Sequence, residues 1–158
     1  MRPSVPSPCV YLAAPLFNPR ERAFNDRLTR ELEQRNVKVF LPQRDGTLLV
    51  DMLEAGVSQI VAERRVFAQD IDALRSSDAL VAVLDGATID EGVAFEVGFA
   101  YALGLTCVAI QTDVRRALPT GNNPMISQSF REIFTSEDEL LHWVDTYSLD
   151  WQAARATA

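Results

Sequence analysis

The sequence Asp78-Ala-Leu-Val-Ala-Val-Leu84 leads through a turn into the apolar segment Gly92-Val-Ala-Phe-Glu-Val-Gly-Phe-Ala-Tyr-Ala-Leu103. The first run is rich in β-branched residues and predicts a buried strand, whereas the apolar segment predicts a helix. Glu96 is the single charged residue between Gly92 and Thr112, although a helix that faces solvent carries many charges. We therefore expect this helix to be buried, and Glu96 to be buried with it.

Glu96 is the first candidate for chemistry. An ionised carboxylate inside an apolar helix is costly unless it is paired or hydrogen-bonded, so a chain rarely places one there for packing alone. At about 100° per residue, Gly92 and Ala100 share the face of Glu96 and leave space beside it for a ligand. The alternative is a structural carboxylate that caps a loop or pairs with an arginine.

Strand and helix patterns alternate on both sides of this segment. The predicted strands are 9–16, 37–41, 79–84, 106–111 and a short edge strand at 132–134; the predicted helices are 19–35, 51–76, 92–103 and a last one from Ser136. Residues 51–76 form the longest of these, with Leu53, Val57, Ile60, Phe67, Ile71 and Leu74 facing the sheet. The alternation predicts an α/β, flavodoxin-like (Rossmann-like) doubly wound sheet of about five parallel strands with helices on both faces.

The chain of 158 residues has the length of one domain, which we place at residues 9–150. The proline-rich residues 1–8 predict a flexible lead-in, and the small, polar residues 151–158 predict a frayed tail.

Composition excludes several classes of protein. The net charge of −7 and the lack of a basic stripe argue against binding to nucleic acid. There is no uninterrupted apolar run of membrane-spanning length and no signal-peptide pattern, so we expect a cytoplasmic protein without membrane contact.

No metal or cofactor site is expected. Cys9, Cys107 and the single histidine, His142, are far apart in the sequence, and neither HExxH nor CxxC is present. Glycine-rich phosphate loops are missing too, and a histidine-based triad is disfavoured because His142 lies on the last helix, far from the acids.

Carboxylates remain as the candidate reactive groups. On the helix at 51–76, Asp70 falls at the edge of the apolar stripe and Asp72 on the opposite side, which makes Asp70 the candidate. Asp90 follows the third strand, near the carboxyl edge where ligands bind in open α/β sheets. Two or three acids in one apolar cleft suit cleavage of a glycosidic bond, although acids at strand ends also bind metals and cap helices.

Four parts of the chain resemble the nucleoside 2-deoxyribosyltransferase family, and together they cover roughly residues 9–145. They are Val10-Tyr-Leu-Ala-Ala-Pro-Leu-Phe17, Asp70 placed before Asp78, Asp90-Glu-Gly-Val-Ala-Phe-Glu-Val-Gly-Phe-Ala-Tyr-Ala-Leu103, and Asn123-Pro-Met125. The resemblance implies exchange of the base of a 2′-deoxynucleoside through a covalent deoxyribosyl-glutamate with net retention, a step of nucleoside salvage that needs no cofactor.

The resemblance also implies roles for individual residues. Glu96 would be the nucleophile and Tyr11 would hold it, while Asp70 and Asp90 would contact the base and the sugar hydroxyls, one of them carrying the proton to the departing base. Asn123, with Met125 beside it, would reach a neighbouring subunit's sugar, so the family likeness implies a homo-oligomer, a tetramer or hexamer built from dimers, with shared sites. Phe17 and Gly92 complete the expected substrate contacts, and Gln43 is a plausible contact to the base edge.

Three alternatives stay open. A hydrolase of the same superfamily would cleave the N-glycosidic bond of a nucleoside with water as acceptor; Ala13-Ala-Pro-Leu-Phe17 stands where hydrolases of deoxynucleoside monophosphates typically carry a phosphate loop, which disfavours a phosphorylated substrate. A signalling receiver domain would need acids after the first strand and a lysine after the last, but the chain's single lysine is Lys38. A nucleoside-binding sensor without catalysis is the third, and Glu96 argues against it.

Overall fold

The fold is one parallel β-sheet with helices on both faces, in a computed structural model that describes residues 7–156. The strands are β1 (Cys9–Ala13), β2 (Lys38–Phe40), β3 (Ala79–Val83), β4 (Thr106–Ile110) and β5 (Glu132–Phe134). Their order in the sheet is β2-β1-β3-β4-β5, and every adjacent pair is parallel. This confirms the predicted flavodoxin-like sheet.

Seven helices connect or follow the strands within residues 7–156. They are α1 (Pro19–Glu33), α2 (Pro42–Asp45), α3 (Leu49–Glu54), α4 (Gln59–Arg75), α5 (Glu91–Ala102), α6 (Pro124–Ser127) and α7 (Glu137–Ala156). The start of α1 is fixed by a capping box, in which the Asn18 side chain accepts from the backbone of Glu21 and the Glu21 side chain accepts from the backbone of Asn18.

The core has two layers because successive strand residues point to opposite faces of the sheet. On one face, Val10, Leu12 and Val81 pack with residues of α1 and α7. On the other face, Tyr11, Leu80 and Ala82 pack with Leu74 of α4 and with Val93, Val97 and Ala100 of α5. Tyr11 therefore points towards the layer that contains Glu96.

The long helix predicted at 51–76 is wrong as one element, because the chain breaks between α3 and α4. Gly56 has φ of +82°, a left-handed conformation that a helix cannot continue through. The predicted apolar stripe is also only partly buried: Ile71 and Leu74 face the sheet, whereas Ile60 and Phe67 are both 58% exposed. Because of the break, the first residues of the predicted helix belong to α3, a separate short helix.

The expectation that the helix after β3 is buried on all sides is also wrong for the single chain. Val93, Val97 and Ala100 are buried, but Phe95 and Tyr101 are 53% and 61% exposed. The apolar sequence of α5 thus serves two faces, one against the sheet and one at the surface.

The structure describes part of each predicted terminal segment, residues 7–8 of the lead-in and residues 151–156 of the tail. Most of the lead-in predicted at 1–8 lies outside the described residues; of the part that is described, the Pro8 carbonyl accepts a hydrogen bond from the Lys38 backbone. Residues 151–156 of the predicted tail continue α7 in this structure, and the Arg155 guanidinium lies over the ring of Trp151.

No helix among residues 7–156 combines the length and the apolar character needed to cross a membrane.

Candidate active site

The candidate site lies on the α4 and α5 side of the sheet, near the carboxyl ends of β1 and β3. The strand order reverses between these two strands, and open α/β sheets bind ligands at such a switch point. Tyr11 comes from the middle of β1, Glu96 from the second turn of α5, and Asp70 from α4. Three elements that are distant in sequence therefore bring Tyr11, Asp70 and Glu96, three of the candidate residues, to one place.

Tyr11 and Glu96 are directly joined. The phenol Oη donates a hydrogen bond of 2.6 Å to Oε1 of Glu96. The Tyr11 side chain is fully buried and stacks on the ring of Phe40, so the hydroxyl is held in one position. A length of 2.6 Å is typical of a charge-assisted bond from a hydroxyl to a carboxylate.

Two adjoining cavities of about 330 and 300 Å³ form the carboxylate cleft. Both are lined by Asp70, Gly92 and Glu96, together with Leu49 and Val66. The larger cavity extends between α4 and α5, and the smaller one extends towards the loops that follow β1 and β2. The acids thus stand at the junction of two spaces that together have the size of a small-molecule site.

The mainly apolar walls change the acid strength of the cleft carboxyls. Burial raises the pKa of Glu96 to about 8; the hydrogen bond from Tyr11 acts in the opposite direction, and the charges of Asp70 and Asp90 add to the rise. Burial alone raises the pKa of Asp70 to about 6. The pKa of Tyr11 is raised as well, by burial and by the neighbouring carboxylates, so its hydroxyl keeps its proton and stays a donor.

Asp90 and Gly92 form the start of α5 at the cleft. The Asp90 carboxylate accepts a 3.0 Å hydrogen bond from the Val93 backbone and caps the helix. A Cβ added at Gly92 would lie 3.1 Å from Oδ1 of Asp90, so a larger residue there would displace the carboxylate. Glycine at 92 therefore keeps both the acid and the opening of the cleft in place.

Aromatic side chains form a wall of the larger cavity that the sequence analysis did not assign to the site. The rings of Phe67 and Phe95 are 5.9 Å apart, and Glu63 lies along the same wall. The period of α4 predicts a core position for Phe67, and the weak pattern around Leu49 gives no sign of a role at the site. The large apolar content of α5 was the available signal for Phe95.

Of the predicted contacts Phe17 and Gln43, only Phe17 lines the cleft. Phe17 is 75% exposed and lines the smaller cavity; its contact with a substrate stays a prediction. The Gln43 side chain is engaged elsewhere, since it bonds to Asn25, Asp26 and the backbone of Arg22 on α1. Gln43 is thus not brought to the cleft as a contact to the base edge in this structure.

Asn123 and Met125 lie apart from the carboxylate cleft of their own chain. The Asn123 side chain accepts from the Met125 backbone at 2.9 Å and caps α6. Met125 is 81% exposed and lies in a separate cavity beside Tyr101 and Gly98 of α5. The single chain therefore does not bring these two residues to Glu96.

The ionisable side chains of the cleft are all acidic. Among the described residues, the side chains that line the two cavities include Glu63, Asp70, Asp90 and Glu96 and no lysine, arginine or histidine. Residues 7–156 also hold no cluster of three or more His, Cys, Asp and Glu side chains with the arrangement of a metal site. Such a cleft suits a neutral, partly apolar ligand better than an anionic one.

Comparison with known proteins identifies the family. The sequence profile described as nucleoside 2-deoxyribosyltransferase matches residues 10–141, which is most of the chain. No curated protein matches at a significant level.

Solved structures share the fold. A conserved protein from Enterococcus faecalis V583 superposes with a TM-score of 0.73 at 26% identity, covering 89% of this chain and 99% of its own. The 2-deoxyribosyltransferase of Bacillus psychrosaccharolyticus gives 0.69 at 22% identity, with 84% and 90% covered. The CMP N-glycosidase of Clostridium botulinum gives 0.57 at 19% identity, with 87% and 98% covered.

Proposed function

This chain belongs to the nucleoside 2-deoxyribosyltransferase family, and we propose that it exchanges the base of a 2′-deoxynucleoside through a covalent ester on Glu96. The observation that carries the proposal is the 2.6 Å hydrogen bond from Tyr11 to Glu96 within an apolar, carboxylate-lined cleft. Family membership supports a glycosyl-transferring enzyme, and the cleft supports the choice of substrate and nucleophile.

In the first step, a carboxylate oxygen of Glu96 attacks C1′ while the bond from C1′ to the base nitrogen breaks. The electron pair of that bond leaves with the base, and an acid in the cleft supplies the proton. Asp70 is the proposed donor because it lines both cavities beside Glu96; the two acids share one proton near neutral pH, and the reactive form carries that proton on Asp70 and leaves Glu96 ionised. Asp90 is occupied as a helix cap and is proposed to contact the sugar hydroxyls.

In the second step, a nitrogen of an incoming base attacks C1′ from the face that the first base left, and the ester bond to Glu96 breaks. The incoming base loses its proton to the carboxylate of Asp70, which restores the starting state. Two displacements at one carbon give net retention. Tyr11 holds Oε1 throughout, so that the carboxylate meets C1′ in a fixed orientation.

The same ester would react with water in a hydrolase, and the apolar walls favour transfer. Leu49, Val66, Phe67 and Phe95 make the walls beside the acids apolar, which limits the access of water to the ester. The absence of cationic side chains from the lining of the two cleft cavities argues against a nucleoside monophosphate, because a phosphate would meet acidic side chains and no cationic one there. The proposed substrate is therefore an uncharged 2′-deoxynucleoside.

We further propose that the active form is a homo-oligomer, a dimer-built tetramer or hexamer, with sites shared between subunits. Large apolar side chains are exposed at two places on this side of the chain, Phe67 and Phe95 at the cleft and Tyr101 and Met125 at the separate cavity on α5, a set that a stable monomer rarely leaves in water. Pairing through this region would bring Asn123 and Met125 of one subunit towards the cleft of another. Light scattering of the purified protein tests the subunit number.

The proposed reaction is tested by chromatography of the protein incubated with 2′-deoxyinosine, with and without excess adenine, beside a Glu96→Ala variant. Transfer predicts 2′-deoxyadenosine with the intact protein alone. Hypoxanthine and free deoxyribose forming at one rate with or without adenine would instead identify a nucleoside hydrolase. No turnover of either kind would contradict both assignments.

A further inference from the structure

Two side-chain amides behind the smaller cavity form a connected set of hydrogen bonds. Asn25 on α1 is only 1% exposed, and its Nδ2 donates to the Pro15 carbonyl and to Oε1 of Gln43, both at 2.9 Å. Gln43 in turn donates from Nε2 to the Arg22 carbonyl at 3.0 Å and to Oδ1 of Asp26 at 2.8 Å. Both donor hydrogens of each amide thus have acceptors.

These bonds join the two loops that enclose the smaller cavity. The first wall, defined as residues 14–17, follows β1 and contributes Ala14, Leu16 and Phe17. The second wall, defined as residues 42–48, follows β2 and contributes Pro42, Thr47 and Leu48. Asn25 is bonded to Pro15 in the first wall and to Gln43 in the second, so α1 sets the position of both.

The far end of the second wall is tied to the helix that carries Asp70. Gln69 accepts from the Thr47 backbone at 2.9 Å and donates to the Asp45 carbonyl at 3.3 Å. The second wall is therefore fixed at one end by Gln43 to α1 and at the other end by Gln69 to α4.

We propose that Asn25 and Gln43 are positioning residues, which fix the spacing between the two walls and thereby determine which nucleobases the cleft accepts. The inference rests on the proposed function, since it takes the smaller cavity as the space for the base beside Glu96. Neither side chain needs to touch the base. Each acts by holding the walls that do.

The size of the expected effect follows from how apolar pockets discriminate. One methylene of mismatch in such a pocket changes kcat/KM on the order of 10-fold or more, and purines and pyrimidines differ by a whole ring. If the walls lose their fixed positions, the cavity can adapt to a purine or to a pyrimidine. Discrimination between the two bases then falls, while Asp70 and Glu96 keep their positions. The loss should appear in KM for the accepting base, with a small change in kcat.

The test compares adenine and cytosine as acceptors for 2′-deoxyinosine with the wild type, Gln43→Met, Asn25→Ala and the double variant. Methionine matches the length of glutamine but makes none of its hydrogen bonds. Gln34→Ala, at the exposed end of α1, is the matched control. Asp26→Ala, which removes an exposed partner of Gln43, replaces Asn25→Ala if that buried change prevents folding.

The expected result is that each single variant moves the ratio of kcat/KM for the two bases about 3-fold to 10-fold towards unity. The double variant should be no worse than either single one, because both changes break the same connection. Gln34→Ala should leave the ratio unchanged. An unchanged ratio in the Gln43 and Asn25 variants, or effects of Gln43→Met that the α1 partner does not reproduce, would overturn the proposal.

Measurements on the wild type distinguish a failure of this inference from a failure of the proposed function. If the wild type hydrolyses nucleosides without transfer, the same ratio is measured on 2′-deoxyadenosine and 2′-deoxycytidine as substrates, and the inference stands or falls on it. If the wild type shows neither reaction, calorimetric binding of those two nucleosides supplies the ratio. A wild type that neither reacts with nor binds them would overturn both proposals.

Discussion

The hydroxyl of Tyr11 lies 2.6 Å from Oε1 of Glu96, although the two residues are 85 positions apart in the chain. β1 fixes one partner and α5 the other, and the bond is made where the sheet and the helix pack together. It supplies a donor to a carboxylate whose burial raises its pKa. The bond therefore holds the Glu96 carboxyl group in place and favours its charged form, which the proposed attack on C1′ requires.

Removing this donor should slow the chemical step. We expect Tyr11→Phe to lower kcat about 10-fold to 100-fold with little change in KM, because the ring and its packing remain while Glu96 loses its fixed orientation. Steady-state kinetics with 2′-deoxyinosine and adenine measure this. A KM effect without a kcat effect would mean that Tyr11 contacts the substrate instead.

The pH dependence of kcat/KM should be bell-shaped, with limbs near pH 6 and pH 8. Below about 6, both Asp70 and Glu96 are protonated and no nucleophile is available; above about 8, both are ionised and no acid is left for the departing base. Between these values the pair shares one proton, so the limbs belong to the pair. A rate that rises steadily from pH 5 to pH 10 would exclude an acid in the cleft.

Removing the charge of Glu96 should raise the Tm at high pH, whereas removing the charge of a paired surface acid should not. Its pKa is raised from 4.5 to about 8 by burial, so its favourable contribution is fully present below pH 4.5 and is lost as the pH rises through 8. We expect Glu96→Gln to match the wild type in Tm at pH 4.5 and to exceed it at pH 9.

Glu137 provides the matched control for that measurement, because its ion pair with Arg27 lowers its pKa. Glu137→Gln should not raise Tm at pH 9, since it removes a favourable charge at an exposed pair. Equal Tm differences for Glu96→Gln at both pH values would contradict the raised pKa of Glu96.

Gly92 should tolerate no side chain without loss of activity. In Gly92→Ala the new Cβ would lie 3.1 Å from Oδ1 of Asp90, so we expect the carboxylate to shift and kcat/KM to fall about 10-fold or more. Gly98→Ala on the same helix meets nothing within 4 Å and should leave Tm unchanged or raise it. Full activity in Gly92→Ala would remove Asp90 from the reaction.

Shared sites predict complementation between inactive variants. Glu96→Ala lacks the proposed nucleophile, and Asn123→Ala lacks the residue expected to reach a neighbouring subunit. When the two are unfolded together and refolded as a mixture, some sites should combine an intact Glu96 with an intact Asn123, and activity should return. Mixing without subunit exchange is the control. Continued inactivity of the refolded mixture would show that each site is built from one chain.

The sheet and the acids could be predicted because they depend on local patterns. Short apolar runs that alternate with helical patterns predict the strands. Glu96 is a candidate because it is the single charged residue of the apolar segment. The period of the helix separated Asp70, which lines the cleft, from Asp72, whose side chain is 78% exposed.

What could not be predicted depends on the backbone and on distant partners. The break at Gly56 arises from a left-handed φ, and a single glycine within a helical pattern does not by itself predict a break. The rings of Phe67 and Phe95 were assigned to buried faces, because period alone does not distinguish a core from the wall of a site. The bonds of Gln43 to α1 join segments about twenty residues apart, which no local pattern encodes.

The most direct test of the account is acid quenching of the protein with 2′-deoxyinosine, followed by peptide mass spectrometry. The account predicts one deoxyribosyl group on the peptide that contains Glu96, removed on addition of adenine as 2′-deoxyadenosine forms. A deoxyribosyl group on another residue, or 2′-deoxyadenosine formed at the wild-type rate by Glu96→Ala, would contradict it.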